Sequence, residues 1–515
     1  MYGAQALITT LVDSGVEVCF ANPGTSEMHL VTAIDTVPGM RPVLGLFEGV
    51  VTGMADGYAR VAGKPAATLL HLGPGLANGL ANLHNARRAQ SPVVNIVGDH
   101  ATYHLQHDAP LASDIVGFAR PVSAWVHTAT SPESVGADAA RAVHASVQAP
   151  GQIATLILPA DVAWNEGGMP APALPVARPA RAPDAAVARV ADAVRSGRRV
   201  GILMRGDALK ERGLTAAGRV ATVGNVTLMA DTFAPAVQAG AGRVPVTRLP
   251  YFAEQLVEFL APLDVLVLVN TKPPVTFFAY PGRPSVGKAD HTELMHLSHP
   301  HEDGAAALEA LADALGAAGA EPATAPFRVD DTVGDKWDQF AIGRAVARHL
   351  PEHSIVVSEG GTQGGGTSAA LATGVPHDVL TLTGGSIGMG LPVATGAGVA
   401  ATDGRKVLCL QGDGGGMYTL QSLWTQARER LDVTTVIFAN RSYGILQIEL
   451  MRTGAGKGGE KAQSMLDLGN PELNWVDLAR GMGVEATRAT NVSEFEAAFE
   501  SAMGQRGPRL IEAYV

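Results

Sequence analysis

The sequence predicts an α/β protein made of three doubly wound parallel-sheet domains. First, short apolar runs of strand length alternate along the whole chain with segments of helical periodicity. Second, two stretches rich in proline and alanine, 167–185 and 317–327, interrupt that alternation. A chain of 515 residues is also long enough for about three domains. The predicted domains span 1–166, 185–316 and 330–515.

Six apolar runs, two in each predicted domain, supply the strands of this scheme. They cover 93–97, 153–158, 200–204, 265–269, 354–358 and 510–513. Near the N-terminus, apolar residues spaced at three and four positions predict an amphipathic helix over 4–12. Strands that alternate with helices in this way favour parallel sheets covered on both faces.

Composition excludes several classes of protein. The chain is 46% apolar and only 17% charged, which is typical of a large, well-buried soluble protein. Its net charge of −11 argues against nucleic-acid binding, which needs clustered basic residues. Cys19 and Cys409 lie in apolar runs and are expected to be buried packing residues. No apolar run reaches the roughly 20 residues that span a bilayer, so a cytoplasmic protein without membrane contact is expected.

The strongest chemical signal is Gly412-Asp413-Gly414, followed 27 positions after Asp413 by Asn440-Arg441-Ser442-Tyr443-Gly444. An apolar run at 407–410, a helical pattern over 418–428 and a second run at 433–438 place both motifs after neighbouring strands. The Asp413 carboxylate, the Asn440 amide oxygen and the Ser442 backbone carbonyl suit a hard cation such as Mg²⁺. The glycines allow phosphate to approach a helix start, where free N–H groups favour anions.

This pair of motifs resembles the thiamine-diphosphate (ThDP) enzymes, in which Gly-Asp-Gly precedes Asn-Asn by a couple of dozen residues. Ala439 stands where the family has its first asparagine, and Asn440 matches the second, which is the family's metal ligand. The resemblance, to acetolactate synthase large subunits and benzoylformate decarboxylases, covers essentially the whole chain. It implies pyrimidine-binding, central and pyrophosphate-binding domains in that order. It also implies a homodimer or homotetramer with active sites between subunits.

The resemblance further implies the contacts of the cofactor. Gly361 and Thr362 would contact its diphosphate, the carbonyl of Gly385 would accept its 4′-amino group, and Ile387 would be the apolar wedge that bends it. The positions expected to bind the cofactor are Gly361, Thr362, Gly385, Ile387, Gly412, Gly414, Gly415, Tyr443, Gly444, Ile445 and Asn78. Residues 445–449 would line a mostly aliphatic substrate pocket with one acid, and 454–461 would form a mobile lid segment.

Glu48 is the candidate acid–base group of the first domain. Its apolar flanks disfavour a charged carboxylate, which suits proton exchange with a weakly basic ring nitrogen. The local sequence equally allows a helix-start glutamate satisfied by backbone N–H groups. The resemblance favours the first interpretation, because Ala-Asp-Gly-Tyr-Ala at 55–59 completes the family's pattern. In that family the glutamate promotes the imino tautomer of the pyrimidine, the imine deprotonates the thiazolium carbon, and the resulting carbanion attacks a substrate carbonyl.

His71 and Thr25 are the other candidate catalytic residues. His71 resembles a catalytic histidine of benzoylformate decarboxylase, and Thr25 occupies the place of that enzyme's active-site serine. The following glycine–proline loop, 73–75, with Asn78 three places on, resembles the acetolactate synthase branch instead. A lone histidine at a strand end is more often structural, and only the flanking motif favours a catalytic or substrate-binding role here.

A second histidine group comprises His100, His104 and His107, followed by Asp108. Metal ligation is not expected, because no firm helix or strand frame holds these residues and the resembled family binds its metal elsewhere. Proton transfer by one or two of these imidazoles and plain surface solvation are both open interpretations.

The sequence therefore predicts a ThDP- and Mg²⁺-dependent enzyme that decarboxylates a small 2-oxo acid. The leading hypothesis is acetolactate-synthase-like carboligation of the resulting enamine. The alternative is a non-ligating decarboxylase of benzoylformate decarboxylase type, although phenylalanines stand at 277–278, near where those relatives have a second histidine. No Gly-x-Gly-x-x-Gly motif supports FAD in the central domain, but FAD is not excluded, nor is a flavin-dependent pyruvate-oxidase-like enzyme. A non-catalytic ThDP-binding protein is disfavoured by the intact Glu48, Asp413 and Asn440.

Overall fold

The computed structural model of the protein describes residues 1–331 and 334–515. It contains three mostly parallel sheets with helices packed on their faces, which confirms the predicted fold class. The three domain ranges stay a prediction, and residues 332 and 333 of the third range lie outside the described part.

The first sheet comes from the N-terminal third of the chain. Its strands are β1 (Val18–Asn22), β2 (Arg41–Leu44), β3 (Ala66–Leu70), β4 (Val93–Asp99), β5 (Trp125–Thr128) and β6 (Ile153–Pro159). The helices are α1 (Gly3–Asp13), α2 (Met28–Thr36), α3 (Glu48–Ala62), α4 (Leu72–Ala89), α5 (Ile115–Ala119), α6 (Val135–Val147) and α7 (Ala160–Trp164). The strands run parallel in the order β2-β1-β3-β4-β6-β5. Phe20 of β1 packs in the core that includes α3 and α4, and its neighbour Cys19 in the core that includes α1 and α6.

The second sheet comes from the middle of the chain. The strands of this region are β7 (Val200–Met204), β8 (Val226–Ala230), β9 (Ala236–Ala239), β10 (Thr247–Arg248), β11 (Val265–Val269) and β12 (Glu293–Ser298). The helices are α8 (Asp184–Arg195), α9 (Glu211–Ala221), α10 (Ala253–Leu260) and α11 (Gly304–Ala314). Five strands pair in parallel in the order β10-β8-β7-β11-β12, and β9 belongs to the third sheet.

The third sheet is formed mainly by the C-terminal part of the chain. Its further strands are β13 (Ile355–Glu359), β14 (His377–Thr381), β15 (Val407–Gly412), β16 (Val433–Ala439), β17 (Glu485–Ala489) and β18 (Arg509–Tyr514). The helices are α12 (Ala341–His349), α13 (Gly364–Leu371), α14 (Gly390–Ala400), α15 (Asp413–Gly416), α16 (Ser422–Glu429), α17 (Gly444–Arg452), α18 (Glu460–Ser464), α19 (Trp475–Gly481) and α20 (Val492–Met503). The order is β17-β18-β16-β15-β13-β14-β9, with β9 antiparallel to β14.

The six predicted strands are confirmed, each to within two residues at either end. The helix predicted over 418–428 begins only at Ser422. The residues just before it are in a turn, where the Thr419 hydroxyl donates to the carbonyl of Gly388 at 2.7 Å instead of joining a helix. The segment 454–461 is exposed, and α18 begins at Glu460 within it.

The first and third sheets are joined through closely packed helices. A Cβ on Gly57 of α3 would lie 2.1 Å from the carbonyl oxygen of Val393 in α14, so the helices approach at van der Waals contact. Nearby, the buried Arg60 forms an ion pair with Asp56 and donates to the carbonyl of Thr381 at 2.8 Å. These contacts hold the first predicted domain against the third, at the edge of the sheet that is predicted to bind the cofactor.

The predictions on cysteines are confirmed, because Cys19 and Cys409 are both buried and free. Burial raises the pKa of the Cys19 thiol to about 12, as expected of a packing residue. Among residues 1–331 and 334–515, no helix combines the length and the apolarity required to cross a membrane.

Candidate active site

Glu48 begins α3, directly after the extended residue Phe47. Its side chain is only 7% exposed, and its Oε2 accepts a 3.0 Å hydrogen bond from the side-chain amide of Asn78 in α4. The Glu48 carboxylate therefore has a side-chain partner on the neighbouring helix α4. The sequence also allows a helix-start glutamate that is satisfied by backbone N–H groups instead. A buried carboxylate with one amide donor retains lone pairs for a ligand.

The glycine–proline segment after β3 differs from the sequence prediction. It was expected to be a loop, but residues 73–75 form the first turn of α4, which starts at Leu72. Leu72 has a φ of 49°, a left-handed conformation that is uncommon for a leucine and recurs at functional sites. A Cβ on Gly75 would lie 3.3 Å from both Glu48 Oε1 and His71 Cβ, so both side chains pack close to this glycine.

His71 is held by a carboxylate that sequence reasoning missed. Its Nδ1 lies 2.8 Å from Oε2 of Glu27, whose side chain is fully buried, and 3.3 Å from the hydroxyl of Ser26. The same Oε2 accepts the backbone N–H of Gly24 at 2.8 Å. Since a carboxylate accepts, Nδ1 carries the hydrogen and Nε2 is the free ring nitrogen. The only signal for Glu27 in the local sequence is its position three residues after Gly24, a pattern that also occurs at ordinary helix starts.

Thr25 lies in the same short helix as Ser26 and Glu27. No hydrogen bond joins Thr25 to His71 in the part of the chain that the structure describes. Thr25 is exposed and starts the short 3₁₀ helix Thr25–Glu27, whereas the adjacent Ser26 supplies the hydroxyl beside the imidazole. The predicted role of Thr25 stays a prediction. Ser26 was missed, because the sequence does not reveal which of two neighbouring hydroxyls faces inward.

The second histidine group forms a row of rings at the end of β4. The ring centroids of His100 and His104, and those of His104 and His107, are each 5.6 Å apart. Nε2 of His100 is buried and has no hydrogen-bond partner among residues 1–331 and 334–515. Burial raises the pKa of the adjacent Asp99. In the described part of the chain, no cluster of three or more His, Cys, Asp or Glu side chains has an arrangement for a metal.

Asp413 stands at the end of β15, where the sequence places the metal turn. It is nearly buried, and burial raises the pKa of its carboxyl. Its Oδ1 accepts the N–H of Gly414 at 2.8 Å, and its Oδ2 accepts the N–H of Arg441 at 2.7 Å. Arg441 adopts a left-handed φ of 55°, which lets the Ser442 N–H reach Asn440 Oδ1 at 3.1 Å. Asp413 and the Asn440–Ser442 turn are therefore brought together as predicted.

This turn fits a hard cation and an anion. The available donors are carboxylate, amide and backbone oxygens, which Mg²⁺ prefers. A Cβ on Gly414 would lie 2.4 Å from the Tyr443 ring, so only glycine fits between the two turns. A Cβ on Gly444 would lie 3.3 Å from Thr362 Oγ1, which places the predicted diphosphate contact beside the Asn440–Ser442 turn. Gly361 has a φ of 56° and open space above it, as a cradle for phosphate requires.

The predicted wedge loop runs from Gly384 to Gly390, and we call it the Ile387 loop. Ile387 is half-buried, and Gly385 has a φ of 76°. The side-chain amide of Asn85 in α4 donates to the carbonyl of Ser386 at 2.8 Å. A Cβ on Gly385 would lie 2.8 Å from the ring of Phe277, so a central-region aromatic ring abuts this loop.

The substrate pocket predicted to be aliphatic has aromatic neighbours from the central region. Tyr280 donates its hydroxyl to Glu449 of α17 at 2.8 Å, and Phe277 lies 4.8 Å from Phe278 between ring centroids. Both phenylalanines are substantially exposed. The contact of Tyr280 with α17 is not predicted by the sequence, because the two lie more than 150 positions apart along the chain. Ile445 is half-buried on α17 and contributes the aliphatic part.

Two family profiles match the chain on either side of the middle region. Residues 1–117 match the thiamine pyrophosphate enzyme N-terminal TPP-binding domain, and residues 364–513 match the C-terminal TPP-binding domain. These ranges contain the Glu48 group and the Asp413 group, respectively.

Individual relatives cover the whole length. The chain is 52% identical over 517 residues to a Mycobacterium tuberculosis protein named "Putative acetolactate synthase large subunit IlvX", covering 100% of this chain and 99% of the relative. It is 28% identical over 539 residues to benzoylformate decarboxylase of Pseudomonas aeruginosa, covering 97% and 96%. The structure of a Rhodococcus jostii thiamine diphosphate-dependent 4-hydroxybenzoylformate decarboxylase matches with a TM-score of 0.85 at 23% identity, over 100% and 99% of the two chains. That structural match shows a shared fold.

Proposed function

Because this chain belongs to the thiamine pyrophosphate enzymes, we propose that it decarboxylates a 2-oxo acid with the help of ThDP and Mg²⁺. The observation on which this rests is the geometry of two groups. The buried Glu48 is hydrogen-bonded to Asn78, and the Asp413 carboxylate is fixed beside Asn440 and Ser442.

The residues present suit the cofactor at both ends. Asp413, Asn440 and the Ser442 carbonyl would hold Mg²⁺, and Thr362 beside Gly444 would contact the diphosphate. Bound ThDP would supply the nucleophilic carbon and the electron sink that decarboxylation of a 2-oxo acid requires. The Gly385 carbonyl would accept the amino group of its pyrimidine.

Glu48 would exchange a proton with the pyrimidine ring of the cofactor. Its low exposure excludes bulk water, and Asn78 orients the carboxylate through Oε2 while Oε1 lies beside Gly75. A proton held in a dry site exchanges with the ligand rather than with solvent.

His71 would protonate the carbon that loses CO₂, so that an aldehyde leaves. Glu27 accepts the hydrogen of Nδ1 and orients the ring, so that the partly exposed imidazole can take up a proton from solvent at Nε2 and deliver it to that carbon. A donor of this kind, beside the same Gly75 as Glu48, favours simple decarboxylation. The benzoylformate decarboxylase relative is consistent with that outcome.

Carboligation is the second candidate, and one observation favours it. The relative at 52% identity bears the name of an acetolactate synthase large subunit. In that case a second carbonyl compound would enter before the proton does, and His71 would orient that acceptor.

The substrate is proposed to be a small 2-oxo acid with an apolar substituent. The exposed ring of Phe277 lies next to Gly385 and packs against the exposed ring of Phe278, and Leu446 of α17 is also exposed. Apolar side chains around a cofactor select for an apolar group on the ligand.

An oligomer, at least a homodimer, is proposed to complete the site. Large apolar side chains are exposed on both the first and the third sheets' domains, which is typical of a surface that another subunit covers. They include Met28, Tyr103, Leu105, Phe118, Tyr418, Leu446 and Met465.

The test is calorimetry of the purified protein with ThDP at saturating Mg²⁺, followed by NMR with a panel of 2-oxo acids. We expect ThDP uptake only with the metal, and CO₂ with an aldehyde from apolar 2-oxo acids. A 2-hydroxy ketone product would instead support carboligation. No uptake of ThDP at saturating Mg²⁺ would refute the proposal.

A further inference from the structure

Glu359 is a buried carboxylate that the chemistry above does not use. It is the last residue of β13, and only 7% of it is exposed. Burial raises the pKa of its carboxyl, and hydrogen bonds from backbone N–H groups and from the Gln411 amide oppose that rise. A carboxylate kept in such a place needs a structural or functional reason, because removing it from water is costly.

One side of the carboxylate holds the end of the Ile387 loop. Its Oε1 accepts the N–H of Gly388 at 2.6 Å, its Oε2 accepts the N–H of Gly390, and the N–H of Met389 also hydrogen-bonds to it. These N–H groups form the start of α14, where a negative charge is favoured by the helix dipole. They follow Ile387 by one to three positions, so the carboxylate fixes the backbone next to the wedge.

The other side of the Glu359 carboxylate lies against the turn that begins at Asp413, which we call the Asp413 turn. A Cβ on Gly415 would lie 2.6 Å from Glu359 Oε1 and 2.8 Å from Gln411 Nε2. Gly415 belongs to the short helix α15, which Asp413 begins. Glu359 therefore fills the space between the loop beside the pyrimidine end and the turn beside the diphosphate end of the cofactor.

We propose that Glu359 is a positioning residue that fixes the Ile387 loop against the Asp413 turn. It sets the separation of the two protein surfaces that contact opposite halves of ThDP, without touching the substrate. This inference rests on the proposed function, since it assumes that both surfaces bind the same coenzyme.

The isosteric variant Glu359→Gln isolates the role. Glutamine offers one acceptor oxygen to several N–H groups, and its NH₂ group would face a backbone donor. The matched control is Glu352→Gln, an exposed glutamate a few residues earlier in the chain. The conservative variant Glu359→Asp retains the charge one methylene farther from the loop.

We expect Glu359→Gln to raise the Kd of ThDP at saturating Mg²⁺ by about tenfold or more, the consequence of buried N–H groups left unpaired. The kcat at saturating ThDP falls by a similar factor, while the KM of the 2-oxo acid is unchanged. Glu359→Asp recovers part of both effects, and Glu352→Gln behaves like the wild type. Calorimetry, steady-state kinetics and melting of the apoprotein measure these quantities.

A lower melting temperature with unchanged Kd and kcat would mean that Glu359 is only a helix cap, and would overturn the inference. If Glu359→Gln does not fold, hydrogen exchange of the wild-type apoprotein decides. The amides of residues 388 and 390 should exchange slowly, and exchange as fast as in an exposed loop would refute the inference. Wild-type protein that binds no ThDP would refute the proposed function instead.

Discussion

The Glu48 region follows β2, at the edge of the first sheet, whereas the Asp413 region follows β15, in the middle of the third sheet. The two regions are also built differently. The first depends on side chains that meet across helices, with Asn78 bound to Glu48 and Glu27 bound to His71. The second depends on a backbone turn, in which the carboxylate of Asp413 accepts main-chain N–H groups. Proton transfer needs side chains with adjustable acidity, whereas holding a metal and an anion needs fixed oxygens and N–H groups.

The largest effect is expected at the turn formed by Asp413 and residues 440–442. Asp413→Ala removes the only carboxylate among the three proposed metal ligands, so Mg²⁺-dependent ThDP uptake should fall below detection, a loss of about a hundredfold or more. Calorimetry with titrated Mg²⁺ measures it. The exposed Asp290→Ala is the control, and retained metal-dependent uptake in Asp413→Ala would separate this turn from the cofactor.

Glu48→Gln should break the proton chemistry while the coenzyme still binds. We expect kcat to fall by about 10²–10⁴-fold, the range of a positioned acid–base group, with a much smaller change in the Kd of ThDP. Kinetics and calorimetry on the same sample separate the two quantities. The exposed Glu17→Gln serves as the control. Equal losses in binding and turnover would contradict the division of labour between the two regions.

The His71–Glu27 pair should act as a unit. His71→Ala is expected to lower kcat by about 10²-fold and Glu27→Gln by about tenfold, because the first removes the proton donor and the second only its orientation. The double variant should be no worse than His71→Ala alone. Additive losses would show that Glu27 acts independently of the imidazole. The exposed His291→Ala is the control.

The smallest effect is expected at the C-terminal end of α17. Both terminal nitrogens of Arg452 pair with Glu254 of α10, with Nη2 2.7 Å from Oε2, and the hydrogen bond holds the pKa of Glu254 at about 2, below its ordinary 4.5. The pair is partly exposed, so Arg452→Ala should cost about 1 kcal/mol or less. Since the folded pKa is depressed, this stability is present above pH 4.5 and disappears as the pH falls toward 2.

Thermal melting from pH 7 to pH 3 measures that difference, with the exposed Lys457→Ala as the control. Releasing α17 should also raise the KM of the 2-oxo acid a few-fold, because Glu449 and Ile445 lie on the same helix. A difference in melting that persists unchanged to pH 3 would show that the ion pair is not its source.

Much of the site could be predicted because its signals are local. The turn proposed to hold the metal is formed by Asp413 and the consecutive residues 440–442, and the glycines that it requires lie within a few positions. The strands could likewise be predicted from the apolar runs, because strands of parallel sheets are buried on both faces. Glu48 needed the family resemblance in addition, because its partner Asn78 lies thirty positions away.

By itself, the sequence determined the fold class, eight of the strands, the placement of Asp413 and Asn440 after neighbouring strands, and the family. Tertiary structure alone decided that Glu27 and Ser26 meet His71, that β9 joins the third sheet, and that Phe277 abuts Gly385. The physical reason is the separation along the chain between the residues that interact. Hydrogen bonds and turn conformations within a few residues follow from local chemistry, whereas the pairing of buried groups forty or more positions apart depends on how whole helices and sheets pack.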